Sequence, residues 1–303
     1  MDKIKKILLV VPPGTSHVQP DGTKQCKECP PPLGLAYLAS ELKASGQYDV
    51  RVYDMVVEGF WKESVVSKDT VLYGSSFEQY LELLEEYKPD LVGIQCMLSS
   101  RSHSALELCR ITKGFNNEIV TVLGGHHAAA LPEHVLQKDT DFVVLGEADH
   151  SFPELVNCLN KGGNIFEING IAYRQDKKLI AQERRDFIKD LDDLPFPAWD
   201  IVGLEKYWTG VIAYNNPPKK KKYGVMNTSR GCPHSCHYCA VPCHTGEGNY
   251  RERDLSKVFD EIRWLVDVYG VEEIQFTDDN FFVNKRRIKE LCRFLIANFP
   301  DMY

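Results

Sequence analysis

The chain has 303 residues, of which 43% are hydrophobic and 26% charged, and a net charge of −7 from 36 basic and 43 acidic side chains. This is ordinary globular composition, which excludes disorder, collagen and coiled coil, and its acidic balance gives no general affinity for nucleic acid. The longest aliphatic run, Ile7 to Val11, is far short of the ~18 apolar residues of a spanning helix, and Pro12–Pro13 come next where a signal peptide would carry small residues.

Taken in chain order, the first half alternates strand and helix signals. KKILLVVPP (5–13) reads as a buried strand, and PPLGLAYLASELKASG (31–46) as a helix opened by Pro31 and Pro32 and stopped at Gly46. Further strands are expected at 48–57, 90–100, 118–125 and 141–149, with helices at 77–89, 103–115 and 151–163 between or after them. The strands are continuously apolar rather than alternating, so a parallel sheet covered on both faces is expected.

Ligands of open α/β sheets sit at the carboxyl ends of the strands. After the first strand comes a connection of about twenty residues, where ~2–6 is ordinary, so a ligand contact is expected there. The other strand ends carry SSRSH (with Ser99), GGHHAAALPEH and GEADHSF. Small residues let backbone approach a large ligand, and serines and amides supply hydrogen bonds. No GxGxxG follows the first strand, so a dinucleotide fingerprint is missing. Gly124–Gly125 also reads as a simple tight turn, and His126, His127, His134 and His150 as hydrogen-bonded loop groups.

Residues 166–222 read as a linker with a hairpin turning at 175–178, an extended Pro/Asp-rich segment with one short helix, and a breaker with a basic run, NNPPKKKK (215–222), which reads as a solvated loop. YGVM (223–226) is then a short strand, and after it stand Cys232, Cys236 and Cys239 in CxxxCxxC spacing. With ten cysteines, no regular spacing and no leader, metal binding is favoured over a disulfide framework. Three thiolates on a short loop suit three corners of a cubane iron–sulfur cluster. A closed zinc site, with Cys243 or His237 as a fourth ligand, is the alternative. Cys26 and Cys29 read as an unpaired surface CxxC, and Cys96, Cys109, Cys158 and Cys292 as core.

RGCPHSCHYC resembles the radical SAM signature, CxxxCΦC, with Tyr238 at the aromatic position. The segment beyond it agrees, with a helix over 254–269, a strand over 271–277 ending in TDDN, and the start of another helix. The first half resembles the cobalamin-binding domain fused to one branch of that superfamily, through Gly124, Gly125, His127, Pro132 and Glu133, then Gly146 and Glu147, and through LPFPAWD in the linker. The mutase motif DxHxxG is absent around His17, so that histidine is not expected below cobalt.

The resemblance implies an α/β Rossmann-like doubly wound sheet (1–165), the linker (166–222) and the beginning of a partial (β/α) radical SAM barrel (223–303). It implies a 4Fe-4S cluster on the three cysteines, S-adenosyl-L-methionine near Tyr238, Asp278 and Asp279, and cobalamin near Ser99 and the glycine loops. The implied reaction cleaves SAM to a 5′-deoxyadenosyl radical and methylates an unactivated carbon of a small-molecule substrate. Cyclisation or rearrangement without methyl transfer is the alternative, and a non-catalytic cobalamin-binding fragment with structural zinc another. An electron donor such as flavodoxin or ferredoxin and a cytoplasmic setting go with it. At ~30 residues per βα unit, residues 223–303 make fewer than three units against about six in the family's core, so a truncated, inactive chain or one completed by a separate chain is expected.

Overall fold

The computed structural model describes residues 4–176, 178–182, 187–208 and 217–303, without the side chain of Cys243. Lys177 of the expected hairpin turn, Glu183 at its end, and Asn215 and Asn216 of the expected breaker lie outside the described residues. The chain divides into two compact units, residues 1–186 with 197–202, and residues 187–196 with 203–303.

The first unit opens with β1 (Lys6–Val11), β2 (Gly14–His17), α1 (Leu33–Ala44), β3 (Asp49–Asp54), α2 (Met55–Glu58), β4 (Glu63–Ser67), β5 (Thr70–Tyr73) and α3 (Phe77–Tyr87). It continues with β6 (Leu91–Gln95), α4 (Ser102–Phe115), β7 (Val120–Gly124), α5 (His126–Ala130), α6 (Pro132–Val135), β8 (Phe142–Val144), α7 (Ala148–Lys161), β9 (Ile171–Gln175), β10 (Lys178–Ala181) and α8 (Trp199–Val202). The described strands form a sheet in the order β10-β9-β8-β7-β6-β1-β3. From β3 to β8 all pairs are parallel, whereas β9 and β10 join antiparallel. The parallel part has the 2-1-3-4-5 order of a doubly wound sheet, with its switch point between β1 and β6.

Burial explains the apolar strand runs. Ile7 to Val11, Leu91 to Ile94 and Phe142 to Val144 are buried, because helices cover both faces. In α3, Tyr80, Leu84 and Tyr87 recur at helical spacing and enter the core. Its start is fixed by a capping box between Ser76 and Gln79. The α7 helix begins at Ala148, three residues before the expected start, and carries Pro153 inside it at the loss of one backbone bond.

Three readings need correction. The hairpin assigned to the linker extends the main sheet, because Phe142 to Val144 would otherwise present unpaired backbone along β8. The long first connection is not a plain loop: β2 pairs with β5, and β5 with β4, in a small antiparallel sheet. The strand expected over 90–100 ends at Gln95, after which residues 97–100 are exposed.

The second unit contains β11 (Tyr223–Met226), β12 (Ser229–Arg230), α9 (Val241–Thr245), β13 (Arg251–Glu252), α10 (Leu255–Tyr269), β14 (Glu273–Phe276) and α11 (Lys285–Asn298). Strands β11 and β14 pair in parallel with α10 as the crossover, which is a βα unit of the expected barrel. Val258, Ile262 and Leu265 form the buried stripe of α10, and Asp254 caps it by accepting from Ser256 N. No helix among the described residues is long and apolar enough to cross a membrane.

Candidate functional site

Two sites emerge, one in each unit. In the first unit the carboxyl edge of the parallel sheet gathers the loops after β6, β7 and β8. Gly125 has φ +111°, and a Cβ there would lie 3.0 Å from the carbonyl carbon and oxygen of Cys96. Only glycine lets the β7 turn close against the β6 end. The turn is locked by Cys96 N donating to Gly124 O (2.6 Å) and His127 N donating to Cys96 O (3.1 Å).

That packing buries His127. Its Nδ1 lies 2.9 Å from Ser99 Oγ and its Nε2 lies 3.0 Å from His134 Nδ1. Ser99, His127 and His134 therefore form a hydrogen-bonded row from the β6 loop to α6. Burial, and then the neighbouring His134, push the His127 pKa below the ordinary histidine value. Gly146 has φ +85°, and Glu147 stands at the start of α7. The spacing motifs pointed to Ser99 and His127 separately; their contact is a product of the fold. His126 and His150 are exposed, and His17 lies in β2.

The same edge carries apolar side chains that sequence reasoning missed. Met97, Leu98 and Leu131 are 36%, 55% and 48% exposed. MLSS after an apolar strand looks like more strand, so nothing in the pattern marks these side chains as exposed. Met97 and Leu98 follow β6, and Leu131 follows α5.

In the second unit the cysteine loop leaves β11. Register decides what holds it. Tyr223 to Met226 pair with Glu273 to Phe276 in parallel, and side chains continue the ladder beyond the strand ends. Thr277 Oγ1 donates to Asn227 Oδ1 (2.7 Å). Asp278 accepts from Thr228 N (3.1 Å), Thr228 Oγ1 (2.8 Å) and Ser229 Oγ (2.5 Å). Asp279 accepts from Gly231 N (2.8 Å), and Asn280 Nδ2 donates to Cys232 Sγ (3.5 Å). Behind the loop, buried Arg287 donates to Thr228 Oγ1 (3.0 Å), Thr228 O (3.1 Å) and Arg253 O (2.8 Å). Arg253 in turn pairs with fully buried Glu261 at 2.6 Å.

Gly231 enables the turn into the cysteines. Its φ is +84°, and a Cβ would fall 1.8 Å from Asn249 O. Cys232 and Cys239 are half-buried and Cys236 exposed, all three free, with Cys239 N donating to Cys236 O (3.0 Å). Tyr238, on the same loop, is 93% exposed. Among the described residues no three His, Cys, Asp or Glu side chains converge on a point for a single ion. His237 is exposed, and the Cys243 side chain lies outside the described residues.

The remaining cysteines divide. Cys96 and Cys109 are core, and burial pushes their thiols up to about 11 and about 12. Cys29 is buried and Cys26 exposed, so only one of that pair lies on the surface. Cys158 is half-buried. Cys292 is exposed, contrary to its core reading, because the buried stripe of α11 runs through Arg287, Ile288 and Leu291 and leaves position 292 just off it.

Comparison with known proteins places both units. Residues 23–156 match the B12 binding domain, and residues 226–301 match the radical SAM superfamily. The chain thus carries a B12-binding domain followed by a radical SAM domain. It is 30% identical to the cytidylyl-2-hydroxyethylphosphonate methyltransferase of Streptomyces wedmorensis, over 96% of this chain and 58% of that protein. It is 32% identical to the anaerobic magnesium-protoporphyrin IX monomethyl ester cyclase of Rubrivivax gelatinosus, over 88% of this chain and 44% of the relative. The fold matches the cobalamin-dependent S-adenosylmethionine radical enzyme OxsB, solved with aqua-cobalamin and S-adenosylmethionine bound, with a TM-score of 0.71 at 18% identity, covering 98% of this chain and 37% of that one. The chain spans about half the length of the curated relatives it matches.

Proposed function

We propose that this chain supplies the cobalamin-binding domain and the cluster-bearing start of the barrel of a radical SAM enzyme that methylates an unactivated carbon of a small molecule. The observation that carries the reading is the cysteine loop, with three free, accessible thiols set on a backbone pinned by the end of the neighbouring strand. Cys232, Cys236 and Cys239 would hold a [4Fe–4S] cluster. The exposed ring of Tyr238 offers a face for the adenine of S-adenosylmethionine. Asp278 and Asp279, expected beside the SAM amine, already accept from the loop, so their first task is to hold it. Ser99, Gly124, Gly125, His127, Gly146 and Glu147, with the exposed side chains of Met97, Leu98 and Leu131, would hold cobalamin. When bound, these groups supply one-electron cleavage of SAM and a methyl carrier. The residues of this chain bind, orient and exclude water.

Residues to complete the substrate pocket, an electron donor such as a flavodoxin or ferredoxin, and a reducing cytoplasmic setting belong to the same reading. Ring formation without methyl transfer is the second reading, favoured by the similarity to the cyclase. Anaerobic reconstitution tests the core of the proposal. About four irons per chain with broad absorption near ~400 nm are expected. A colourless chain with one zinc would sink it.

A further inference from the structure

Asp278, Asp279 and Asn280 run alongside the cysteine loop, and the residue type at each position matches the chemistry it faces. Asp278 faces an amide and two hydroxyls, Asp279 faces the amide of Gly231, and both supply acceptors. Position 280 faces sulfur. A thiolate is an acceptor and carries negative charge, so a third aspartate there would repel it and donate nothing. Asparagine donates, and its Nδ2 lies 3.5 Å from Cys232 Sγ.

We propose that Asn280 is a positioning residue that orients the Cys232 thiolate and, by donating to it, raises the reduction potential of the cluster it would hold. The inference rests on reading the loop as a [4Fe–4S] site. Reduction adds negative charge, part of which falls on the cysteine sulfurs. A donor aimed at a sulfur stabilises the reduced form more than the oxidised one, so its removal lowers the potential. Asp279 holds Gly231, one residue before Cys232, and Asp278 holds Thr228 and Ser229, four and three residues before it, so the amide and thiol meet in a fixed geometry rather than by chance on a free loop.

The test is a redox titration of the anaerobically reconstituted full chain, monitored by electron paramagnetic resonance, as wild type and as Asn280→Leu, Asn280→Asp and Asn280→Gln. All four are expected to keep the wild-type circular dichroism and iron content. The midpoint potential should move to more negative values in Asn280→Leu, further in Asn280→Asp, and return toward wild type in Asn280→Gln, which keeps a donor. Iron loss from Asn280→Leu that Asn280→Gln restores also supports the assignment. A potential unchanged in both Asn280→Leu and Asn280→Asp overturns it, as does iron loss that Asn280→Gln fails to restore. Wild-type chain that takes up no iron overturns the cluster reading itself, and this inference with it.

Discussion

Gly231 and His127 show how single residues set the two sites. At Gly231 any side chain meets the carbonyl of Asn249, and the left-handed backbone adds strain of ~1–3 kcal/mol. Gly231→Ala should abolish iron uptake, while urea unfolding of the first unit stays at its wild-type midpoint. His127 is protonated less readily in the folded chain than in the unfolded one. Its contribution is therefore complete above the unfolded histidine value of ~6.5 and is lost as pH falls through the lower folded value. Urea midpoints measured between pH 8 and pH 5 should fall less steeply with acid in His127→Asn than in wild type. An identical slope would show that His127 does not carry this dependence. Gly124, Gly125 and the cysteines were legible as motifs. The bond from Ser99 to His127 was not, since the two lie on separate strand ends that only the parallel sheet brings together.

Among the elements, α3 was readable, expected over 77–89 and found over Phe77–Tyr87, because the stop at Pro89 acts locally. Ser76→Ala should cost about 1 kcal/mol by removing one half of the capping box. Leu84→Ala should cost ~2–5 kcal/mol by emptying a fully buried position. Both are read from urea unfolding of the apo chain, and equal effects would contradict the assigned burial. The β2-β5-β4 sheet was illegible for the opposite reason. Gly14 pairs with Tyr73, far along the chain, and all five residues of β4 are exposed, so its sequence carries no buried face to reveal it. The β9–β10 hairpin was visible as a hairpin, but its partner β8 was not, because antiparallel addition to a parallel sheet leaves no local mark.

For the molecule as a whole, the expected two-part organisation has chemical consequences that can be separated. Cys236→Ala should remove the cluster and leave corrin binding within about twofold of wild type, read by iron assay and by visible absorption of bound cobalamin. Loss of both would mean that the two sites are not independent. Cobalamin should in turn stabilise the first unit by RT ln(1 + [L]/Kd), ~2.7 kcal/mol at a hundredfold excess over Kd. A melting temperature that ignores added cobalamin would count against the carboxyl edge of the first unit's sheet as its seat.

The pinning of the cysteine loop also orders events in time. Thr228, Gly231 and Cys232 are held by residues 48 to 50 positions further along the chain. At ~5–20 residues per second of synthesis, roughly 2–10 s separate the emergence of the thiols from that of their partners. During that interval the cysteines are tethered to nothing and open to oxidation or stray metal. Delivery of iron and sulfide is thus best matched to a chain that has already folded β11 against β14, which places maturation of this loop after the synthesis of residues 278–280.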